Sequence, residues 1–202
     1  VAVSIWRVHK FRLALACAAG LSTFILTALS PLPAKAQSGS ATPLWNWNSF
    51  KCLGVLGGNM TNGTPVVQWA CNGNPDQQWL VDVSGAWTQI RNSQNPNKCL
   101  GVNGSGTSDG STLAIWDCVG SADQYWSLHF HSIDSRTECY NIYNFNAWLA
   151  SLFPVGFPPV FPTQKVIGVP GGAWWDGVQT VLWDYQNTPD QLWCSDGEVI
   201  TP

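Results

Sequence analysis

Asp76-Gln77-Gln78-Trp79, Asp123-Gln124-Tyr125-Trp126 and Asp190-Gln191-Leu192-Trp193 state one phrase three times, and the chain upstream of each repeats in step with it. Twenty-five residues before each first Gln stand Cys52, Cys99 and Val166, which open Cys52-Leu53-Gly54-Val55, Cys99-Leu100-Gly101-Val102 and Val166-Ile167-Gly168-Val169. Six residues before it stand Cys71, Cys118 and Tyr185, and two residues before those stand Trp69, Trp116 and Trp183. Between the two anchors each copy carries a turn dipeptide, Asn62-Gly63, Asp109-Gly110 or Asp176-Gly177. The register needs no gap, so the chain reads as three equivalent units.

Outside the leader, short runs of Val, Ile, Leu and Trp alternate with clusters of Gly, Asn, Ser, Asp and Pro, and helix signals are nearly absent. That punctuation predicts short strands joined by tight turns, hence an all-β fold. The expected strands are 44–47, 52–55, 66–71 and 77–82 in the first repeat, then 87–91, 99–102, 113–118 and 124–128 in the second. The third offers one strand somewhere in 138–145, then 166–169, 180–185 and 191–195. Closing such short strands into a barrel removes edges that an open sheet would leave exposed.

The Cys-Leu-Gly-Val, Trp-x-Cys and Gln-x-Trp elements resemble the ricin-B-type lectin family over residues 44–200. The resemblance implies a β-trefoil of three four-stranded repeats with pseudo-threefold symmetry, the repeats lying at about 44–83, 84–130 and 131–200. It implies a secreted module that binds carbohydrate in one shallow pocket per repeat. In the family the sugar stacks on an aromatic ring and is held by a carboxylate two residues after the first Cys, with further polar contacts near the Gln-x-Trp. The chemistry is sound, because a sugar has an apolar C–H face and hydroxyls that need acceptors in fixed directions.

Carried over to this sequence, the stacking rings are Trp69, Trp116 and Trp183, and the glutamines are Gln77, Gln124 and Gln191. The sequence departs from the family at the carboxylate, whose place is taken by Gly54, Gly101 and Gly168. The residue before the Gln-x-Trp, often Asn in the family, is Asp76, Asp123 and Asp190. We read these aspartates as the charge moved across the pocket; the alternative is that each caps its own turn through an Asx bond. The family's polar residue four before the second Cys is replaced by Val67, Ala114 and Val181, with Gln68 one place off. Trp79, Trp126 and Trp193 are expected in the barrel core. Trp174-Trp175 cannot both be buried in so short a turn, so one of them is a candidate extra stacking platform. The expected ligand is a galactose-type or xylan-type saccharide bound weakly at several sites, and the expected state is a monomer.

Residues 1–36 run from Arg7, Lys10 and Arg12 through an apolar stretch to Ala34-Lys35-Ala36, which reads as a secretory signal peptide cut before Gln37. An uncleaved membrane anchor is the alternative reading. After cleavage, 37–202 keeps five Lys and Arg against twelve acids, a net charge of −7, which disfavours nucleic acid and anionic lipid as partners. In an exported chain, the 19-residue spacings Cys52 to Cys71 and Cys99 to Cys118 are a disulfide pattern, and repeat three lacks its counterpart. Cys139 and Cys194 are expected to pair because the first and last strands of a trefoil repeat are neighbours; a free thiol is the alternative.

The repeats break step once, between Trp126 and Val166, and a Phe/Pro-rich insertion at about 137–162 is expected to be an irregular loop or a surface for a protein partner. His129-Phe130-His131 places two imidazoles at strand spacing, but no further ligands follow at metal-binding intervals, so no metal or other cofactor is expected. No nucleophile-elbow, phosphate-loop or metalloprotease motif occurs, which points away from an enzyme. The competing function is a trefoil that has lost its sugar sites and serves as a protein-interaction or inhibitor module.

Overall fold

Trp79, Trp126 and Trp193 are fully buried at the centre of the domain. Each indole N–H donates to the carbonyl of the residue 26 positions earlier, Leu53 (2.9 Å), Leu100 (3.0 Å) and Ile167 (3.0 Å). A buried indole needs such an acceptor, and here the acceptor lies on the second strand of the same repeat. The last strand of each repeat is thereby locked to its second.

The structure is a computed structural model and describes residues 40–82, 85–132, 137–152 and 164–195. The signal-peptide reading and the Phe/Pro run at 153–163 lie outside the described residues. A short β1 (Thr42–Pro43) precedes repeat one, which holds β2 (Trp45–Asn46), β3 (Cys52–Val55), β4 (Thr64–Trp69) and β5 (Gln78–Leu80). Repeat two holds β6 (Arg91–Asn92), β7 (Lys98–Val102), β8 (Leu113–Asp117) and β9 (Trp126–Ser132). Repeat three holds β10 (Glu138–Asn144), β11 (Lys165–Gly168), β12 (Val178–Gln179), β13 (Val181–Asp184) and β14 (Trp193–Ser195).

Each final strand pairs with the first strand of the next repeat, in the same register three times: Trp79 opposite Asn92, Trp126 opposite Asn144, Trp193 opposite Asn46. The third-strand regions form a second ring of contacts. Thr64 lies opposite Ile115, Thr112 opposite Val181 and Val178 opposite Gln68. Both rings run from repeat one to two to three and back to one, so the domain is an all-β trefoil with pseudo-threefold symmetry. The core between them is made of Leu53, Leu100, Ile167, Ile115, Leu182 and their neighbours, all excluded from solvent around the three tryptophans.

Three features hold the rings together from outside. The turn glycines Gly63, Gly110 and Gly177 take φ of 84°, 82° and 83°, a left-handed conformation that explains the Asn-Gly and Asp-Gly dipeptides. The residue before each glycine then reaches the next repeat. Asn62 accepts from the Lys98 ammonium (2.6 Å) and the Asp117 N–H (2.9 Å); Asp109 accepts from Lys165 (2.6 Å) and the Asp184 N–H (2.7 Å). Asp176 closes the cycle with Lys51 (2.6 Å) and the Ala70 N–H (2.9 Å). Finally, Cys52–Cys71, Cys99–Cys118 and Cys139–Cys194 are disulfides, the last joining directly opposed residues of β10 and β14.

The strand expectations hold at the centre of every element except 87–91, where Thr88 makes an isolated bridge to Trp126 and the strand is Arg91–Asn92, and two further features differ. The Gln-x-Trp glutamines were expected to begin strands, but Gln77, Gln124 and Gln191 end short 3₁₀ turns, Pro75–Gln77, Ala122–Gln124 and Pro189–Gln191, and the strand follows. The expectation of almost no helix also fails at α1 (Phe145–Ser151), which follows β10 directly within the insertion. Asn144 ends the strand and caps this helix, its side chain accepting from the Ala147 N–H at 3.1 Å.

Candidate functional site

Each repeat brings an Asp and a Gln together around its glycine, with the Trp beside them in repeats two and three. In repeat two, a β-carbon added to Gly101 would stand 3.1 Å from Asp123 Oδ2, 3.3 Å from Gln124 Cγ and 3.8 Å from Trp116 Cδ1. At Gly54 the nearest atoms would be Gln77 Cγ (2.9 Å) and Asp76 Oδ2 (3.5 Å). At Gly168 they are Gln191 Cγ (3.4 Å) and Asp190 Oδ2 (3.7 Å). The glycine and the aspartate therefore compete for one space, and the carboxylate enters it from the 3₁₀ turn instead of from the second strand.

The aspartates stand at the second position of those turns, not at the N-cap. The residues at the N-caps are Asn74, Ser121 and Thr188, and none of the three turns has a side-chain cap bond. Asp123 is buried and accepts from the Ser105 hydroxyl at 3.1 Å, while Asp76 and Asp190 are half-buried. Burial pushes the Asp76 carboxyl up from its ordinary value, partly offset by its own backbone N–H.

The glutamines have a different task from the one expected. Their side chains are buried, and both ends of each amide are bonded to main chain. Gln77 Oε1 accepts from the Asn72 N–H (2.9 Å) and Nε2 donates to Ala70 O (3.0 Å). Gln124 accepts from the Val119 (3.0 Å) and Gly120 (3.2 Å) N–H groups and donates to Asp117 O (2.7 Å). Gln191 accepts from the Gln186 N–H (2.8 Å) and donates to Asp184 O (2.7 Å). These amides fix the loop that forms one wall of each pocket.

A second set of positioning residues was missed by sequence reasoning. Asn46, Asn92 and Asn144 are fully buried, and their side-chain N–H groups donate to the carbonyls of Asp190 (2.8 Å), Asp76 (2.9 Å) and Asp123 (2.9 Å). Each pocket aspartate is thus held from behind by the repeat that follows it. Gln68, read as displaced from the pocket, is buried and points away from it, accepting from the Ser49 hydroxyl (2.7 Å) and donating to the carbonyls of Ala173 (2.8 Å) and Trp175 (3.0 Å).

Trp69 and Trp183 are substantially exposed and Trp116 is half-buried, leaving ring surface in contact with solvent at all three positions. Repeat three lacks the disulfide of the other two, yet it keeps the same arrangement of Asp and Gln around its glycine. A cleft of about 440 Å³ opens there, lined by Gly168, Pro170, Trp183, Thr188, Asp190 and Gln191. His129, one of the two spaced imidazoles, packs on Tyr143 with ring centroids 4.3 Å apart. Burial and the neighbouring His131 hold its pKa below the ordinary value.

The sequence model described as the ricin-type beta-trefoil lectin domain matches residues 40–140. The chain belongs to the ricin-type β-trefoil lectin family. No curated protein sequence matches this lectin domain. Among solved structures it is similar to the designed threefold-symmetric protein ThreeFoil, at 21% identity and a TM-score of 0.63, covering 78% of this chain and 99% of that one. It is similar to 1,3Gal43A, an exo-β-1,3-galactanase from Clostridium thermocellum, at 27% identity and a TM-score of 0.63. That match covers 82% of this chain but 31% of the galactanase, so the lectin domain spans about a third of that enzyme. The Macrolepiota procera ricin B-like lectin, solved with lactose, is 16% identical with a TM-score of 0.54, covering 81% of this chain and 99% of that one.

Proposed function

We propose that this lectin domain is a secreted, non-catalytic carbohydrate-binding module that holds a saccharide in each repeat. Trp69, Trp116 and Trp183 stack on the sugar, and Asp76, Asp123 and Asp190 accept its hydroxyls. The observation that carries the proposal is the aspartate carboxyl oxygen standing beside the pocket glycine in all three repeats, 3.1 to 3.7 Å from where a β-carbon would be. A carboxylate set beside a solvent-facing indole is the pair that a sugar ring requires. Gln77, Gln124 and Gln191 act as positioning residues, since their amides are occupied by the main chain.

Saccharides of the galactose or xylan type fit the family and the lactose-bound relative, and three shallow sites would act together on a polymer. Three disulfides support an oxidising compartment and hence export. A glycan array run with the parent and with a folded Trp69→Ala, Trp116→Ala, Trp183→Ala variant tests the proposal. Binding by the parent that the variant loses supports it, and a folded parent that captures no glycan overturns it.

A further inference from the structure

The three pockets are not equal on their outer side, because each is bordered by the turn of the preceding repeat. The N–H groups of Gly63, Gly110 and Gly177 donate to the carbonyls of Ile115, Leu182 and Gln68, each at 2.9 Å. Those acceptors immediately precede Trp116, Trp183 and Trp69. In repeat two the pyrrole edge of Trp116 faces the pocket glycine, and its benzo edge meets the neighbouring turn, 3.6 Å from a β-carbon on Gly63. Trp69 does the same with Gly177, its Cζ3 at 3.2 Å. Trp116 therefore bridges its own pocket to the turn of the repeat before, and Trp69 meets the corresponding turn of repeat three.

What that turn offers differs. The residues three and two before the turn glycine are Met60-Thr61 beside Trp116 and Thr107-Ser108 beside Trp183, but Trp174-Trp175 beside Trp69. Trp174 and Trp175 are 72% and 59% exposed, with ring centroids 6.4 Å apart and planes at 76°. Their backbone is held firmly: Gln68 donates to the carbonyls of Ala173 and Trp175, and Asp176 binds Lys51 and the Ala70 N–H. Two largely exposed indoles on a fixed backbone offer prearranged aromatic surface, which binds at little ordering cost.

We infer that repeat one carries an extended site in which one sugar unit occupies the Trp69–Asp76 pocket and the next units of the same chain stack on Trp174 or Trp175. Repeats two and three have no such extension and take a single terminal unit. The ligand class is an uncharged oligosaccharide of at least two units. This inference rests on the saccharide reading of the pockets and adds to it the chain-length preference of one repeat.

The test uses the full chain carrying Trp116→Ala and Trp183→Ala, so that repeat one alone remains, titrated calorimetrically with galactose against β-1,3-galactotriose and with xylose against xylotriose. The preferred trisaccharide is expected to bind roughly tenfold more tightly than its monosaccharide, the scale of one added aromatic contact. Adding Trp174→Ala and Trp175→Ala should bring the trisaccharide down to the monosaccharide affinity, and Trp174→Phe with Trp175→Phe should retain most of the gain. Equal affinities for both lengths, or a gain that survives the alanine pair, overturns the extended site and leaves the single-unit pocket standing. A folded protein that binds none of the four sugars overturns the saccharide reading along with it.

Discussion

Gly101 and Asp123 share one space: a β-carbon on the glycine would stand 3.1 Å from the carboxyl oxygen of the aspartate. On the proposed reading, the charge that the family carries at the glycine position is supplied here by the aspartate. Gly101→Asp alone would set two carboxylates against each other and should destabilise the domain by about 1–3 kcal/mol through overpacking and like-charge contact. Gly101→Asp combined with Asp123→Asn should recover both stability and binding at that repeat. Thermal melting and sugar titration of the pair of variants check this, and a double variant no better than the single would count against the exchange.

The three glycines should not tolerate a methyl group equally. Gly54→Ala meets Gln77 Cγ at 2.9 Å, and Gln77 cannot retreat because both ends of its amide are bonded. Gly168→Ala meets Gln191 Cγ at 3.4 Å, an ordinary contact. We expect Gly54→Ala to lower stability by about 1–2 kcal/mol, while Gly168→Ala is neutral or slightly stabilising through the unfolded chain. Urea denaturation of the two single variants makes the comparison.

Acidification should weaken repeat one at a pH above the ordinary aspartate range. Burial raises the Asp76 pKa from 3.8, and the ionised form is the one that accepts hydroxyls. A raised folded pKa means that protonation begins early on the way down, favouring the folded state while removing the acceptor. Affinity of a repeat-one-only variant, followed against pH, should fall with a midpoint above 3.8 although the domain remains folded.

Lys165 bridges Asp109 of repeat two and Asp184 of its own repeat, both at 2.6 Å. Burial opposes its charge, but the two carboxylates outweigh that and hold its pKa above the ordinary value. Both acids are partly exposed, so solvent screening moderates the effect. Lys165→Met should cost about 1–2 kcal/mol, because it leaves the Asp109 and Asp184 carboxylates facing each other. Calorimetric melting should show the loss, smaller at high salt as repulsion is screened.

Much of this domain was legible because its threefold features sit at constant spacing. The buried tryptophans, the turn glycines, the two 19-residue disulfides and the Trp–Asp–Gly clusters all keep one register. Asn46, Asn92 and Asn144 escaped it because they stand 6, 7 and 22 residues before their repeat's first anchor, the insertion having displaced the last. The helix Phe145–Ser151 is too short for a period to declare itself, and its cap is a residue of the preceding strand. The glutamines were found but given a ligand role, since composition cannot show that an amide is spent on Ala70, Asp117 or Asp184 of the main chain.

The central claim is that the displaced aspartates, not the glycines' lost carboxylates, hold sugar. The direct measurement is binding of the parent and of an Asp76→Asn, Asp123→Asn, Asp190→Asn variant to galactan and xylan by affinity electrophoresis, with melting curves alongside. Retardation of the parent and free migration of an equally stable variant is the predicted result. A variant that melts with the parent and is retarded as strongly would contradict the account.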